Sequence, residues 1–133
     1  MGAVMAHATV ICEHKYVAQA ISGHHRLICD EPVANGGSDA GPAPYDLLLA
    51  SLGACSAITL RMYGIRKGWD LGKITVGLRY TREEDGAEHI DRRVSFSKQL
   101  DDAQKNRLLE IMGKTPVTRT LLKGIAIASS LAD

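Results

Sequence analysis

Leu47-Leu48-Leu49-Ala50-Ser51-Leu52-Gly53-Ala54-Cys55-Ser56-Ala57-Ile58-Thr59-Leu60 is the most apolar stretch of the chain, and it follows directly on the Gly- and Pro-rich run Gly36 to Pro44. Proline at a first helical position sacrifices no hydrogen bond that the helix needs, and glycine stops a helix at its far end. The pattern predicts one helix from near Pro44 to about Lys67, closed by Gly68. Arg61, Arg66 and Lys67 fall in its C-terminal half, where positive charge suits the helix dipole. The apolar run ends at Arg61, short of the ~20 residues a bilayer span requires, so it reads as a core helix. Apolar on nearly every face, it must be covered all round, and a chain of short strands has little left to cover it; this predicts an obligate homodimer. Cys55 lies in the middle. A thiol there is either an inert core residue, since free cysteine packs like a small hydrophobe, or a reactive sulfur shielded from water.

Composition narrows the choice of function. With 133 residues, 45% hydrophobic and 23% charged, residues 1–133 form one soluble domain able to build a core without staples. Sixteen basic side chains against fifteen acidic ones leave a net charge of +1, so neither nucleic acid nor an anionic membrane is an expected partner. Three cysteines, Cys12, Cys29 and Cys55, are widely spaced with no C-x-x-C pair, which argues against a disulfide framework or a zinc site. The N-terminus has no basic segment followed by a long apolar one, so it does not read as a signal peptide, and a cytoplasmic location is expected. His7, His14 and His89 have no ligand spacing, so no metal and no cofactor is expected.

Outward from the helix, period-two alternation predicts strands. Upstream, Ala8 to Cys12, Tyr16 to Ile21 and Arg26 to Asp30 form a meander punctuated by Ser22-Gly23. The segment from Glu31-Pro32 to Pro44 is a loop of about a dozen residues, a length at which loops are often functional. Downstream, Lys73 to Arg82 and Ile90 to Phe96 make a hairpin about Asp85-Gly86. Asp101-Asp102-Ala103-Gln104 has the form of a capping box opening a helix that Gly113 closes. Thr115 is the expected N-cap of a short helix from Pro116 to Lys123, and Ile125 to Ala128 reads as a last strand.

Asp30-Glu31-Pro32, followed by Gly36 through Asp39, Gly41-Pro42-Ala43-Pro44-Tyr45-Asp46-Leu47-Leu48-Leu49-Ala50 and Cys55, resembles the hallmark of the OsmC-like family, which includes the organic hydroperoxide resistance proteins. Thr115-Pro116-Val117-Thr118-Arg119-Thr120-Leu121 falls where that family has Cys-Pro-Val, a polar residue and Arg-Thr-Leu. The resemblance is greatest to a small cytosolic branch, here without the second cysteine. It implies an α+β fold, an OsmC-like interlocked dimer with antiparallel sheets wrapped around two long central helices and sites at the dimer interface. It also implies a thiol peroxidase, in which a thiolate attacks an organic hydroperoxide and the sulfenic acid condenses with a second cysteine.

That resemblance places Cys55 as the attacking thiol and Thr115 at the vacant resolving-cysteine position, where a hydroxyl caps a helix but forms no disulfide. It further implies an acidic residue and an arginine beside Cys55. The family's glutamate falls on Tyr45, with Asp46 the nearest carboxylate, rotated by about 100° on the helix. For the arginine, Arg26 is the only one in the N-terminal strand region, with Lys15 a rival. Cys12 or Cys29 would resolve a Cys55 sulfenate only if neighbouring strands brought it within disulfide range. His24-His25 reads as a turn tip, and Arg119 as a packing or ion-pairing residue. Two functions stay open: thiol-dependent reduction of organic hydroperoxides through Cys55, with an external thiol or dithiol as resolving partner, or a non-catalytic dimer binding a small hydrophobic molecule.

Overall fold

The computed structural model describes residues 2–132, and the chain divides after Leu48 into two compact units. In the first, β1 (Thr9–His14), β2 (Val17–Ser22) and β3 (His25–Cys29) form the expected antiparallel meander in the order β1-β2-β3. Ala18 pairs with Cys12 on one side and with Cys29 on the other. The two thiols therefore lie two strands apart, about 10 Å, beyond disulfide reach of each other.

The loop after β3 is wound around one buried carboxylate. Asp30 Oδ1 accepts the Glu31 N–H (2.7 Å), and Oδ2 accepts those of Ser38 (3.1 Å) and Ala40 (3.0 Å). Three charge-assisted bonds close a coil that encloses a single 3₁₀ turn, Val33–Asn35. Glycine is required where this coil crosses other backbone. A Cβ at Gly37 would sit 1.9 Å from the Glu31 carbonyl oxygen, and one at Gly41 would sit 2.1 Å from that of Ile28. These hydrogen bonds hold the Asp30 carboxyl below its usual 3.8, the Ala40 N–H contributing most and burial opposing.

α1 (Pro44–Lys67) has the predicted ends and runs on into the second unit. Its 24 residues make it, by length and composition, long and apolar enough to cross a membrane, because the helix extends past the apolar run on both sides. In the second unit, however, Leu52, Leu60 and Tyr63 are buried. β4 (Ile74–Arg82) and β5 (Glu88–Phe96) form the antiparallel hairpin, and Asp85 turns it by accepting the Ala87 N–H. α2 (Asp102–Met112) opens with the capping box read from the sequence, Asp101 and Gln104 each accepting the other's backbone N–H (2.7 and 3.0 Å). α3 (Pro116–Lys123) follows one short turn later. Leu60, Tyr63, Leu71, Leu100, Leu108 and Met112 form the core, flanked by Trp69, Ile74, Val94, Phe96 and Ile111. Gly64 permits close packing in this core: a Cβ there would meet Leu71 Cδ1 at 2.7 Å.

One expectation is corrected. Ile125 to Ala128 forms no strand; Ile125 and Ile127 are 71% and 84% exposed. An extended segment needs a neighbouring edge for its backbone groups, and these residues have none among the described residues. Within the chain α1 is left uncovered on one face, where Ile58, Met62 and Ile65, at i, i+4 and i+7, are 55%, 59% and 72% exposed.

Asp30→Asn is expected to lower the melting temperature at neutral pH. Because the folded-state pKa is depressed, the carboxylate's contribution is complete above about 3.8 and disappears as pH falls through the lowered value. Melts of both proteins from pH 7 downward should converge in acid; a gap independent of pH would rule the charge out.

Candidate active site

Alternation on β5 turns Ile90, Arg92, Val94 and Phe96 to the half-buried face and leaves Asp91, Arg93 and Ser95 exposed. An arginine thus stands in a row that is otherwise apolar, and it has to find oxygen there. Arg92 Nη1 donates to Ser56 Oγ of α1 (2.9 Å) and to Thr118 Oγ1 of α3 (2.7 Å), and Nη2 donates to the Met112 carbonyl at the end of α2 (3.1 Å). One guanidinium ties together β5 and three helices.

The hydroxyls around it form a directed chain. Ser56 Oγ passes its proton to the Leu52 carbonyl (2.7 Å), leaving its lone pairs for Arg92. Thr115 Oγ1 lies 2.7 Å from Thr118 Oγ1 and 3.2 Å from the Met112 carbonyl, which is 3.5 Å from Thr118. The shortest set of bonds runs from Arg92 to Thr118, from Thr118 to Thr115, and from Thr115 to Met112 O. Thr115 is therefore the N-cap residue of α3 in backbone position only, without a side-chain cap bond, contrary to the sequence expectation. Its buried hydroxyl serves the Arg92 network instead.

Cys55, half-buried on α1 beside Ser56, lies within electrostatic reach of this guanidinium. Burial lowers the Arg92 pKa from the usual arginine value, and the charge of Cys55 acts in the opposite direction. Among the described residues no carboxylate pairs with Arg92; its hydrogen-bond partners are uncharged oxygens. The positive charge is solvated by dipoles without being cancelled.

Asp46, exposed in the first turn of α1, accepts the Ala43 N–H (3.1 Å), and Tyr45 beside it is 48% exposed. Arg26 is exposed on β3 opposite Ile21, and Lys15 sits in the β1–β2 turn accepting the Cys12 thiol on its carbonyl (3.4 Å). His24 and His25 stack at the β2–β3 turn, and Arg119 is exposed on α3. No group of His, Cys, Asp or Glu among the described residues could hold a metal. Arg92, Ser56 and Thr118 were missed as site residues, yet Ile90-Asp91-Arg92-Arg93-Val94-Ser95-Phe96 carries the signal: Arg92 takes an apolar turn in the alternation.

A model of the OsmC-like protein family matches residues 36–130, which contain both Cys55 and Arg92. The chain belongs to the OsmC-like family. No curated protein matches it. An OsmC-like protein from Mycoplasma pneumoniae superposes with a TM-score of 0.78 at 19% identity, covering 90% of this chain and 88% of that one. The organic hydroperoxide resistance protein OsmC from Legionella pneumophila gives 0.68 at 14% identity, covering 91% of each chain. OhrB of Bacillus subtilis, also an organic hydroperoxide resistance protein, gives 0.60 at 19% identity over 88% and 91%. At these identities the likeness establishes the fold, α+β with two small antiparallel sheets, which this OsmC-like chain shares.

Arg92→Met keeps the apolar stem and removes the charge. It should slow alkylation of Cys55 by iodoacetamide at pH 7 on the order of tenfold, and cost about 1–3 kcal/mol of stability by leaving the Ser56 and Thr118 hydroxyls without their donor. Measured alkylation at the wild-type rate in the folded variant would separate Arg92 from the sulfur.

Proposed function

We propose that this OsmC-like protein reduces organic hydroperoxides through Cys55, with an external thiol as the resolving partner. The observation that carries the proposal is the Arg92 guanidinium, without a carboxylate partner among the described residues and bonded at 2.9 Å to Ser56, the neighbour in sequence of the half-buried Cys55. Desolvation alone opposes a thiolate, and a nearby cation offsets it. The thiolate attacks the terminal oxygen of ROOH, the O–O bond breaks, and the leaving alkoxide takes up a proton as ROH. Cys55 is left as the sulfenic acid. A free thiol then condenses with it, releasing water and forming a mixed disulfide, and a second thiol restores Cys55 while carrying away the oxidised pair. Thr115 takes no part in that exchange. Asp46 and Tyr45, in the first turn of α1, and Arg26, on β3, are kept as candidate supporting residues on the family resemblance alone. No metal or cofactor is needed for this chemistry.

The working unit in this proposal is a cytoplasmic homodimer of single-domain chains, with neither nucleic acid nor membrane as a partner. The exposed row Ile58, Met62 and Ile65 and the exposed tail residues Ile125 and Ile127 are surface that a second copy would cover. A folded monomer in sedimentation at micromolar concentration would refute the dimer. The same apolar surface favours a second function, binding of a small hydrophobic molecule without turnover.

Treatment with cumene hydroperoxide in the presence of a sulfenic-acid trap distinguishes the two. The expected result is a trapped adduct at Cys55, and alcohol produced once per chain without added thiol but repeatedly with it. Labelling only at Cys12 or Cys29, or none with the hydroperoxide left intact, would favour the binding protein. Thr115→Cys should form a disulfide with Cys55 after peroxide and cycle with a dithiol; a peroxide-treated variant with both thiols free would exclude their juxtaposition or the oxidation of Cys55.

A further inference from the structure

We infer that Thr118 and Thr115 are positioning residues for Cys55, acting through Arg92, whose guanidinium they hold on the inner face of the hairpin. The role presupposes that Cys55 is the reactive sulfur. An arginine in an apolar row has a long stem with which to carry its charge out to water, so it stays inside only where oxygens fix it. Ser56 is one such oxygen, on the same helix as the sulfur. The Met112 carbonyl is another, fixed by the backbone. Thr118 supplies the shortest of the three bonds and is the only side-chain anchor from the α2–α3 segment.

Thr118 can accept from Arg92 in a defined direction because its own proton has somewhere to go. Thr115 takes it at 2.7 Å and hands its own on to the Met112 carbonyl at 3.2 Å, the oxygen that also receives Nη2. The result is a closed ring through Arg92, Thr118, Thr115 and Met112. A thiol at position 115 is a weak donor and a weak acceptor, and would close that ring poorly. The hydroxyl at the family's second-cysteine position therefore has an electrostatic task in this chain.

Other charges near the site do not supply this effect. On β5 Asp91 and Arg93 are exposed, as is Arg79 on β4. On α1 Arg61 bonds the Gly72 carbonyl; on α2 Glu110 pairs with Arg107 and Lys114; on α3 Arg119 and Lys123 are exposed. Among the described residues Cys55 is the one ionisable group whose charge bears on Arg92.

The test uses the full chain with Cys12→Ser and Cys29→Ser, so that Cys55 is the only thiol, and measures the iodoacetamide rate from about pH 5 to 10 alongside far-ultraviolet circular dichroism. Thr118→Val should displace the rate profile toward higher pH by about one unit, and so slow the reaction at pH 7 about tenfold. Thr118→Ser should restore it to within about twofold, and Thr115→Val should displace it the same way by less. A folded Thr118→Val with the unaltered profile overturns the role, as does a serine variant as slow as the valine one. Should Thr118→Val not fold, an unaltered profile in Thr115→Val overturns the ring and a displaced one supports it. Alkylation consumes no peroxide, so a displaced profile in a protein that leaves hydroperoxide intact would defeat the peroxidase proposal and leave the positioning role standing.

Discussion

A buried or half-buried arginine has to be given oxygen wherever it points, and in this chain that requirement fixes the relation of β5 to the helices of the second unit. Arg92 reaches Ser56 in the middle of α1, the last carbonyl of α2 and the first turn of α3. Hydrogen bonds to a charged group are worth about 1.5–3 kcal/mol each when made, and an abandoned buried charge costs more than that. The apolar core of Leu60, Tyr63, Leu71, Leu108 and Met112 could tolerate small slips of one helix against another. The guanidinium could not, because its donors are planar and their directions fixed. Packing supplies the bulk of the stability here, and Arg92 supplies the register.

The same bonds explain why the charge remains available. Had the partner been a carboxylate, the pair would be electrostatically closed and of little use to a neighbouring sulfur. Hydroxyls and a carbonyl satisfy the N–H groups without neutralising them. Structure and chemistry thus ask for the same thing: neutral acceptors in fixed places, each with its own proton directed elsewhere. Ser56 donates back to the Leu52 carbonyl, and Thr118 shares a hydrogen bond with Thr115.

Much of this frame was legible in the sequence, because the features that wrote it are local. Pro44 and Gly68 bound α1, Asp101 and Gln104 cap α2, and Asp85-Gly86 turns the hairpin; in each the deciding atoms lie within a few residues of one another. What was not legible depends on partners far along the chain. Arg92 and Ser56 are thirty-six positions apart, and nothing local to either points to the other. The alternation of β5 marks Arg92 as a charge on an apolar row, but a strand pattern alone does not say which oxygens that charge meets. Ile125 to Ala128 has the composition of a strand and no edge to pair with among the described residues, so propensity without a partner left it extended and exposed. Thr115 has the residue type and position of an N-cap, yet a buried hydroxyl two bonds from a guanidinium finds better use there than at the helix end.

Position 115 accordingly stands under two demands that no single side chain meets. A cysteine there could close a disulfide with an oxidised Cys55, which is what the family pattern provides for. A threonine there can accept a hydrogen bond from Thr118 while donating one to the Met112 carbonyl, and so leave the lone pairs of Thr118 turned toward Arg92. Replacing the hydroxyl by a thiol trades strong hydrogen bonds for weak ones at a fully buried atom, and the loss falls on Arg92 rather than on the cap of α3, which the side chain does not make. Gaining an internal resolving thiol would then slow the first, thiolate-dependent step even as it accelerates the second. Under the proposed function, in which an outside thiol resolves Cys55, that conflict would not arise, at the expense of depending on the supply of that thiol.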